Sequence, residues 1–350
     1  MIYFEYDQPK AASFFAAEEY VMQTIQPSEA ALLLWRIDDT VVIGANQIAK
    51  AECDLAYAKA AGITIARRPS GGGAIFADRG TLEYTIILPY GESAPAVEQN
   101  HRLSKSEDVT AKASADPKSF VQDWLAGPVI ETIARFGAKA SLEGRNDILI
   151  DGKKVSGVSQ YVRNGYICSH GTLLFDADME KLARVLTVDR EKIETKAIAS
   201  VRSRVTNISD HIGEKGFERF REVLIECYGA KGGLSRRKFE PGELARIDEI
   251  TRGRYDTPEW NFGREPAFTF TNRKRFPGGT IEVFLDIKGG EIRDARIAGD
   301  FLALRPVAEL EEALRGTPHR EDAVLEALRM TDVSACLGSL GEQELLGVLF

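Results

Sequence analysis

Two arginines followed closely by three glycines are the first residues in this sequence whose types and spacing could do chemistry. Residues 67–76 read RRPSGGGAIF, and the three glycines lie between two apolar, strand-like segments. Successive glycines let a backbone approach a ligand closely and expose N–H groups to an anion, and guanidinium groups add charge and forked donors for phosphate. The run therefore indicates a nucleotide site, although a glycine triplet alone also occurs in tight turns and bulges.

A lysine beside a tight hairpin is the second candidate. Residues 144–157 read GRNDILIDGKKVSG, in which a polar Asn146-Asp147 pair leads into an apolar strand and a turn reverses the chain. Lys154 then begins the returning strand, where a lysine is a well-positioned point charge. Its neighbour Lys153 is interpreted as a solvated residue of the hairpin edge.

The elements that must position these residues are predicted from hydrophobic periodicity. Strand-like runs occur at 2–6, 31–37, 40–43, 63–66, 74–76 and 84–88, and helix-like patterns at 10–26 and 119–136. Residues 145–175 are predicted to form a β-meander, because Asp151-Gly152 and Asn164-Gly165 are strong two-residue hairpin turns. The predicted fold class is α+β, with mixed, largely antiparallel sheets flanked by helices.

A domain boundary is predicted near residues 239–243, where charged residues and Pro241-Gly242 interrupt the pattern. The chain would then divide into a catalytic domain, 1–243, and a C-terminal domain, 244–350, of ordinary domain size. The second part contains a hairpin-like run at 268–297 followed by a helical tail. Residues 91–118 are poor in large apolar side chains and are predicted to be a mobile surface loop or insertion.

Composition excludes several classes of function. The formal net charge of −8 argues against nucleic acid as a partner. Neither a membrane-spanning apolar stretch nor a signal-like N-terminus is present in the sequence, so a cytoplasmic location is expected. The four cysteines are isolated from one another and the four histidines lack metal-ligand spacing, so no structural zinc is expected.

Taken together and in order, these motifs resemble the lipoate-protein ligase family. The resemblance includes RRPSGGGAIF, GRND, GKKVSG, HGTLL at 170–174 and SVRSRVTN at 200–207, and it covers most of residues 1–245. Residues 260–263 and 279–301 are similar to the family's small accessory domain. The resemblance implies a biotin/lipoate ligase-like catalytic domain and a small α+β C-terminal domain. It departs at Ala77-Asp78, where relatives often have His-Asp, so no histidine is assigned a role there.

The resemblance also implies roles for individual residues. Lys154 is expected to be catalytic, because the family lysine contacts both the acyl carbonyl and the adenylate phosphate. The residues expected to bind ATP or the adenylate are Arg68, Gly73, Ala74, Ile75, Phe76, Asn146, Asp147 and Lys154. Those expected to bind lipoate are Ser70, Gly71, Gly72, Lys154 and His170. Mg²⁺ is expected to accompany the triphosphate, with Asp147 as the candidate carboxylate.

The implied reaction has two steps. Lipoate is activated by ATP to lipoyl-AMP with release of pyrophosphate, and the lipoyl group then passes to a lysine of a carrier domain. The implied carriers are the E2 subunits of 2-oxo acid dehydrogenases and the H protein of glycine cleavage, and octanoate remains an alternative substrate. The apolar tail needs apolar walls, for which the candidates are Trp35, Val42, Ile43, Gly44 and Phe76.

Three alternatives are weighed against this function. A cofactor-free octanoyltransferase needs an activated cysteine, but residues 142–147 read LEGRND and Cys168 is interpreted as buried packing. A biotin ligase fits the order of motifs less well. A catalytically silent binding protein would not need Arg68, the glycine triplet and Lys154 together. Residues 194–207 are further predicted to form a flexible loop that lipoyl-AMP orders.

Overall fold

The computed structural model describes residues 1–89, 121–144, 147–186, 203–214, 216–230, 232–262 and 269–350. Its strands are β1 (Ile2–Glu5), β2 (Ala31–Trp35), β3 (Thr40–Ile43), β4 (Thr64–Arg67), β5 (Ile75–Ala77), β6 (Thr81–Pro89), β7 (Ala140–Glu143), β8 (Asp147–Ile150), β9 (Lys153–Arg163), β10 (Tyr166–Leu174), β11 (Ser235–Lys238), β12 (Phe270–Phe276), β13 (Gly279–Lys288) and β14 (Glu291–Gly299).

The α-helices of the same ranges are α1 (Ala11–Tyr20), α2 (Ala49–Glu52), α3 (Leu55–Ala60), α4 (Gly127–Arg135), α5 (Met179–Val185), α6 (Phe217–Gly229), α7 (Pro241–Ile250), α8 (Pro258–Phe262), α9 (Ala308–Leu314), α10 (Glu321–Leu328), α11 (Val333–Leu337) and α12 (Glu342–Leu349). Short π-helical turns adjoin α1, α4 and α7, at Val21–Ile25, Val121–Ala126 and Thr251–Tyr255. Within the described ranges, none of the helices has the length and apolarity that crossing a membrane requires.

An eight-stranded sheet with the order β11-β1-β2-β6-β10-β9-β8-β7 forms the centre of the fold. The pairs β11/β1 and β1/β2 are parallel, and the remaining pairs are antiparallel. A second sheet has the order β4-β3-β5, and the glycine run connects its two outer strands. The predicted α+β class with mixed, largely antiparallel sheets is therefore confirmed.

The β-meander has the predicted turns. Asp151 and Asn164 have φ values of 49° and 51°, and the glycines that follow them have values of 74° and 75°. Positive φ at both central residues defines the type I′ turn, whose twist matches that of paired strands. The turns therefore join β8 to β9 and β9 to β10.

Helices pack on both faces of the large sheet, and neighbouring residues of a strand point to opposite faces. On β2, Leu32 belongs to a core cluster that includes residues of α4 and α6. The adjacent Leu33 belongs to a second cluster with residues of α1, among them Phe14 and Phe15. The second face, covered by α1, is the one that carries the candidate site.

The C-terminal sheet, β12-β13-β14, has a core of its own with α9–α12, which includes Ile281 and Leu310. By contrast, three side chains that follow residue 243 pack in the cluster of α1. They are Ile247 of α7, Tyr255 of the π-helical turn and Trp260 of α8. The predicted boundary after residue 243 precedes these side chains. The division 1–243 and 244–350 stays a prediction, and the packing groups residues 241–262 with the first part.

Candidate active site

A cavity of about 460 Å³ lies between the large sheet, the glycine run and the C-terminal part of the chain. This volume is within the range of small-molecule sites, about 300–1,000 Å³. The C-terminal part contributes Arg275, Asp300 and Leu302 to its lining. Most of the predicted site residues also line it, namely Arg68, Gly72, Gly73, Ala74, Ile75, Phe76, Asp147, Lys154 and His170.

The floor of the cavity is one face of the large sheet. Directly opposite residues of antiparallel strands share a face. Glu83, Thr172, Gly157 and Asp147 are such partners in turn, across β6, β10, β9 and β8. They form a row in which two carboxyl groups lie at opposite ends. A parallel row two residues away contains Thr85, His170 and Ser159.

A β-bulge places Lys154 on this face. Ile148 pairs with Ser156 but Leu149 pairs with Lys154, so Val155 is an extra residue in β9. Because side chains alternate along a strand, Lys154 would otherwise point away from the face that carries Gly157. With the bulge, Lys154 shares the face of Asp147, and its Nζ lies 2.8 Å from the carboxylate Oδ1.

Gly157 makes room for the lysine side chain. A Cβ atom at this position would lie 2.8 Å from Nζ of Lys154 and 2.9 Å from its Cε. The lysine backbone is also fixed, because its N–H donates to Arg204 and its carbonyl accepts from Thr206. The side chains of Lys154 and Asp147 are 40% and 37% exposed, so the charged pair is open to a ligand in the cavity.

Arg68 is buried and organises the glycine run. Its guanidinium donates to the carbonyl oxygens of Gly71, Gly73 and Val42 over 2.6–3.2 Å. Burial lowers the pKa of Arg68 to about 10, so the group remains charged at neutral pH. Gly72, with φ of +89°, has a backbone conformation that favours glycine.

Arg67 connects distant segments of the backbone. Its guanidinium donates to the carbonyls of Gly44 and Gln47 and to those of Trp260 and Asn261, at 2.6–3.0 Å. The first arginine of the motif therefore holds α8 and the segment after β3 against β4. Its charge faces carbonyl oxygens in the interior, which the sequence did not reveal.

His170 lies within a buried hydrogen-bond network on the cavity wall. Its Nε2 is 2.8 Å from Oε2 of Glu18, and its Nδ1 is 3.4 Å from Oγ of Ser70. Ser70 Oγ lies 2.8 Å from Ser159 Oγ, and Ser159 lines the cavity. Ser70 and Gly71, both predicted to bind lipoate, are not themselves part of the cavity lining.

Among the described residues, one group of three side chains has donor atoms close enough to hold a metal ion. Glu18, Cys168 and His170 have donor atoms within 4.8 Å of one another. Burial and the nearby Glu18 carboxylate raise the pKa of the Cys168 thiol well above its usual value. Hydrogen bonds link all three side chains, so the group is satisfied without a metal. Asp147, the carboxylate predicted to accompany Mg²⁺, lies outside this group and binds Lys154 through one oxygen.

The apolar part of the lining includes three of the five predicted wall residues, Trp35, Val42 and Phe76. Ile43 packs instead in a cluster with α2 and α5. Gly44 lies against the glycine run, where a Cβ atom would be 2.2 Å from the carbonyl oxygen of Gly72. The indole N–H of Trp35 donates to Thr85 Oγ1 at 3.1 Å, which satisfies a buried donor.

Several predictions fall outside the described residues. These are the role of Asn146, the loop at 91–118, and residues 194–202 of the predicted flexible loop. Glu83 and Glu18, both part of the cavity or its network, were not singled out from sequence, and Thr172 appeared only as a member of the HGTLL motif. Glu18 did carry a signal, because it is a charged residue in the middle of a helix pattern dominated by alanine and phenylalanine.

Comparisons with known proteins agree along the length of the chain. The family model described as the lipoyl protein ligase A/B catalytic domain matches residues 10–229, and that of the bacterial lipoate protein ligase C-terminus matches residues 265–349. The lipoate-protein ligase LplJ of Bacillus subtilis is 32% identical over 340 residues, which cover 96% of this chain and 95% of that protein.

Solved structures share the fold. LipL1 of P. falciparum, solved in complex with lipoate, has a TM-score of 0.72 at 19% identity and covers 95% of this chain and 94% of its own. A bi-partite lipoate protein ligase from Thermoplasma acidophilum, solved in a study that included its E2 lipoyl domain, has a TM-score of 0.62 at 26% identity. That match covers 77% of this chain and 98% of the archaeal chain.

Proposed function

Because the chain belongs to the lipoate-protein ligase family, we propose that this ligase activates lipoate with ATP and transfers the lipoyl group from lipoyl-AMP to a carrier lysine. The observation that carries the proposal is the position of Lys154. Its ammonium group lies on the floor of a partly apolar cavity that the glycine run also lines. A fixed cation beside an apolar lining suits a substrate with an acidic head and an apolar tail.

In the activation step, a carboxylate oxygen of lipoate attacks the α-phosphorus of ATP and pyrophosphate leaves. Negative charge then accumulates on phosphate and acyl oxygens. We assign Lys154 to these oxygens, and Gly73, Ala74, Ile75 and Phe76 to the nucleotide. Loss of one preorganised donor of this kind costs about 2.7–4 kcal/mol in the transition state. Because the Lys154–Asp147 pair is exposed to the cavity, its rearrangement around a substrate oxygen costs little.

Arg68 acts on the nucleotide through the loop that it holds. Its donors bind carbonyls of the run, so it fixes the backbone that faces the cavity. Ser70 likewise acts through Ser159, with which it shares a hydrogen bond. His170 has its ring fixed by Glu18 and contributes to the acyl end of the cavity. Trp35 and Val42 supply apolar surface for the tail.

Mg²⁺ fits the carboxylate at the cavity edge. Mg²⁺ in nucleotide sites keeps waters and takes one or two carboxylates together with phosphate oxygens. Asp147 offers one such carboxylate on the cavity lining, and its second oxygen is not needed for the bond to Lys154. The ion would neutralise charge on the triphosphate.

The proposed acceptors are lipoyl domains, namely E2 subunits and the H protein. The support is the family itself and the archaeal relative, which was studied together with its E2 lipoyl domain. Octanoate is a second candidate substrate, because an eight-carbon acid has the same acidic head and an apolar tail. A carrier gel-shift assay with each acid and ATP distinguishes the two substrates.

The proposed activation is tested by lipoate-dependent exchange of pyrophosphate into ATP. A ligase that forms lipoyl-AMP catalyses this exchange, whereas a cofactor-free acyltransferase or a binding protein does not. The same assay with biotin in place of lipoate tests the biotin ligase alternative. Absence of lipoate-dependent exchange in the wild-type protein would contradict the proposed function.

A further inference from the structure

Glu83 is a buried carboxyl group on the cavity floor that the proposed roles leave unused. Its side chain is 2% exposed, and Oγ1 of Thr172 donates to its Oε2 at 2.5 Å. Among the described residues, its other oxygen, Oε1, has no hydrogen-bond partner. A buried polar atom without a partner is destabilising, because it has lost its hydrogen bonds to water. Because Glu83 lines the cavity, a ligand group can provide that partner.

The charged groups that act on Glu83 have opposite effects. The nearby guanidinium of Arg68 favours the ionised carboxylate, and Asp78 disfavours it. Burial is the largest influence, and it outweighs both Arg68 and the hydrogen bond from Thr172, so the pKa of Glu83 is raised to about 8. A general base works best when its pKa lies near the working pH. The ionised fraction of Glu83 can accept a proton, and this fraction grows as the pH rises toward 8.

The position of Glu83 relative to Lys154 gives it a substrate atom to act on. Glu83 and Gly157 are both paired with Thr172, so they are separated by two strand spacings, roughly 10 Å. Nζ of Lys154 lies above Gly157, and the Glu83 carboxyl leans toward Thr172. The space between the ammonium group and the carboxyl therefore lies above Thr172, where a reacting carbonyl has a cation on one side and a base on the other.

We propose that Glu83 is a catalytic residue of the transfer step, in which its free oxygen accepts a proton from the incoming amine. This inference rests on the proposed function. The neutral amine nitrogen attacks the carbonyl carbon of the acyl-adenylate, and the C–N bond forms as one N–H proton moves to the Glu83 carboxylate. The C–O bond to the phosphate then breaks, AMP leaves with the electron pair, and Glu83 later returns the proton to solvent.

The test is Glu83→Gln, which keeps the shape of the side chain and removes the base. Single-turnover transfer from supplied lipoyl-AMP to a purified lipoyl domain is expected to fall by about 10²–10⁴-fold. The wild-type rate should rise with pH through an ionisation near 8, and this ionisation should be missing in the variant. Glu143→Gln, on the edge strand β7, is the matched control and should leave the rate and its pH profile unchanged.

Hydroxylamine distinguishes a base from a structural residue. Hydroxylamine is a strong nucleophile of low basicity, so after it attacks an acyl-adenylate its N–H proton passes to water without an enzyme base. Its reaction with enzyme-bound lipoyl-AMP should therefore fall far less than transfer to the carrier. Equal losses with both acceptors would mean that Glu83 only shapes the cavity, and an unchanged transfer rate would also overturn the proposal. If Glu83→Gln does not fold, Glu83→Asp takes its place. This variant should transfer lipoyl more slowly but keep the ionisation in its pH–rate profile, and a profile without that ionisation would contradict the proposal.

These outcomes are separate from failure of the proposed function. A wild-type enzyme that shows no lipoate-dependent pyrophosphate exchange fails at activation, before Glu83 acts. A wild-type enzyme that exchanges pyrophosphate and transfers lipoyl, but has a Glu83→Gln variant with normal transfer, retains the proposed function without this base.

Discussion

At the scale of single residues, Lys154 and Lys153 form a natural pair for experiment. They are neighbours in sequence, but the bulge in β9 sends only Lys154 to the cavity, while Lys153 is exposed at the hairpin. Lys154→Ala is expected to reduce lipoate-dependent pyrophosphate exchange by about two to three orders of magnitude. Lys153→Ala should have little effect. Near-normal exchange in Lys154→Ala would contradict the assignment of the cation.

Gly157 tests the same lysine without changing any charge. A methyl group at this position must displace Nζ of Lys154, because the two would lie 2.8 Å apart. A displacement of about 1 Å can reduce a rate by about 10²-fold, so Gly157→Ala should lower pyrophosphate exchange with little loss of stability. Gly253→Ala, where a Cβ atom meets no neighbour within 4 Å, is the control. Equal exchange rates in both variants would argue against this positioning.

Glu83 also predicts how stability depends on pH. Its folded-state pKa is raised, so the folded protein binds its proton more tightly than the unfolded chain does. The contribution of Glu83 to stability is therefore complete below the pKa of the unfolded carboxyl and is lost as pH rises through about 8. Urea denaturation from about pH 5 to 8 should show a smaller decline in the free energy of unfolding for Glu83→Gln than for wild type. Parallel declines would show that Glu83 titrates normally.

At the scale of elements, the turns could be predicted from the sequence, but the pairing of distant strands could not. The Asp-Gly and Asn-Gly turns predicted the meander because type I′ geometry depends on two adjacent residues. The short strand β11 reads SRRK and has no apolar face, so only its pairing with β1 identifies it. The bulge at Val155 was likewise hidden, because one extra residue in a strand leaves the apolar pattern nearly unchanged.

Side-chain partners explain which parts of the site could be predicted. The glycine run and Lys154 each lie within a continuous sequence motif, so both could be predicted from the sequence. Glu83 and Thr172 are directly opposite on the adjacent strands β6 and β10, but they are 89 residues apart along the chain. Neither residue type is distinctive alone, so the sheet register was needed to reveal the pair.

At the scale of the whole molecule, the position of α7 and α8 predicts the outcome of truncation. A chain ending at residue 243 loses Ile247, Tyr255 and Trp260 from the core around α1. Fully burying one large apolar side chain contributes about 1.5–3 kcal/mol. Residues 1–262 should therefore unfold at a clearly higher temperature than residues 1–243. Equal melting temperatures would support the boundary predicted at 243.

Arg67 links α8 to the segment after β3, which packs against the glycine run. Its guanidinium binds backbone carbonyls in the segment after β3 and in α8. Backbone segments that share such a group cannot open separately without leaving its donors unsatisfied. Amides of residues 44–47 and 259–261 should therefore exchange hydrogen through one common opening event, with similar free energies in native-state exchange. Widely different opening energies for the two segments would show that α8 detaches by itself. If the opening free energies agree, the two segments belong to one cooperative folding unit although they are more than 200 positions apart in the sequence. That unit includes the residues that pack against the glycine run.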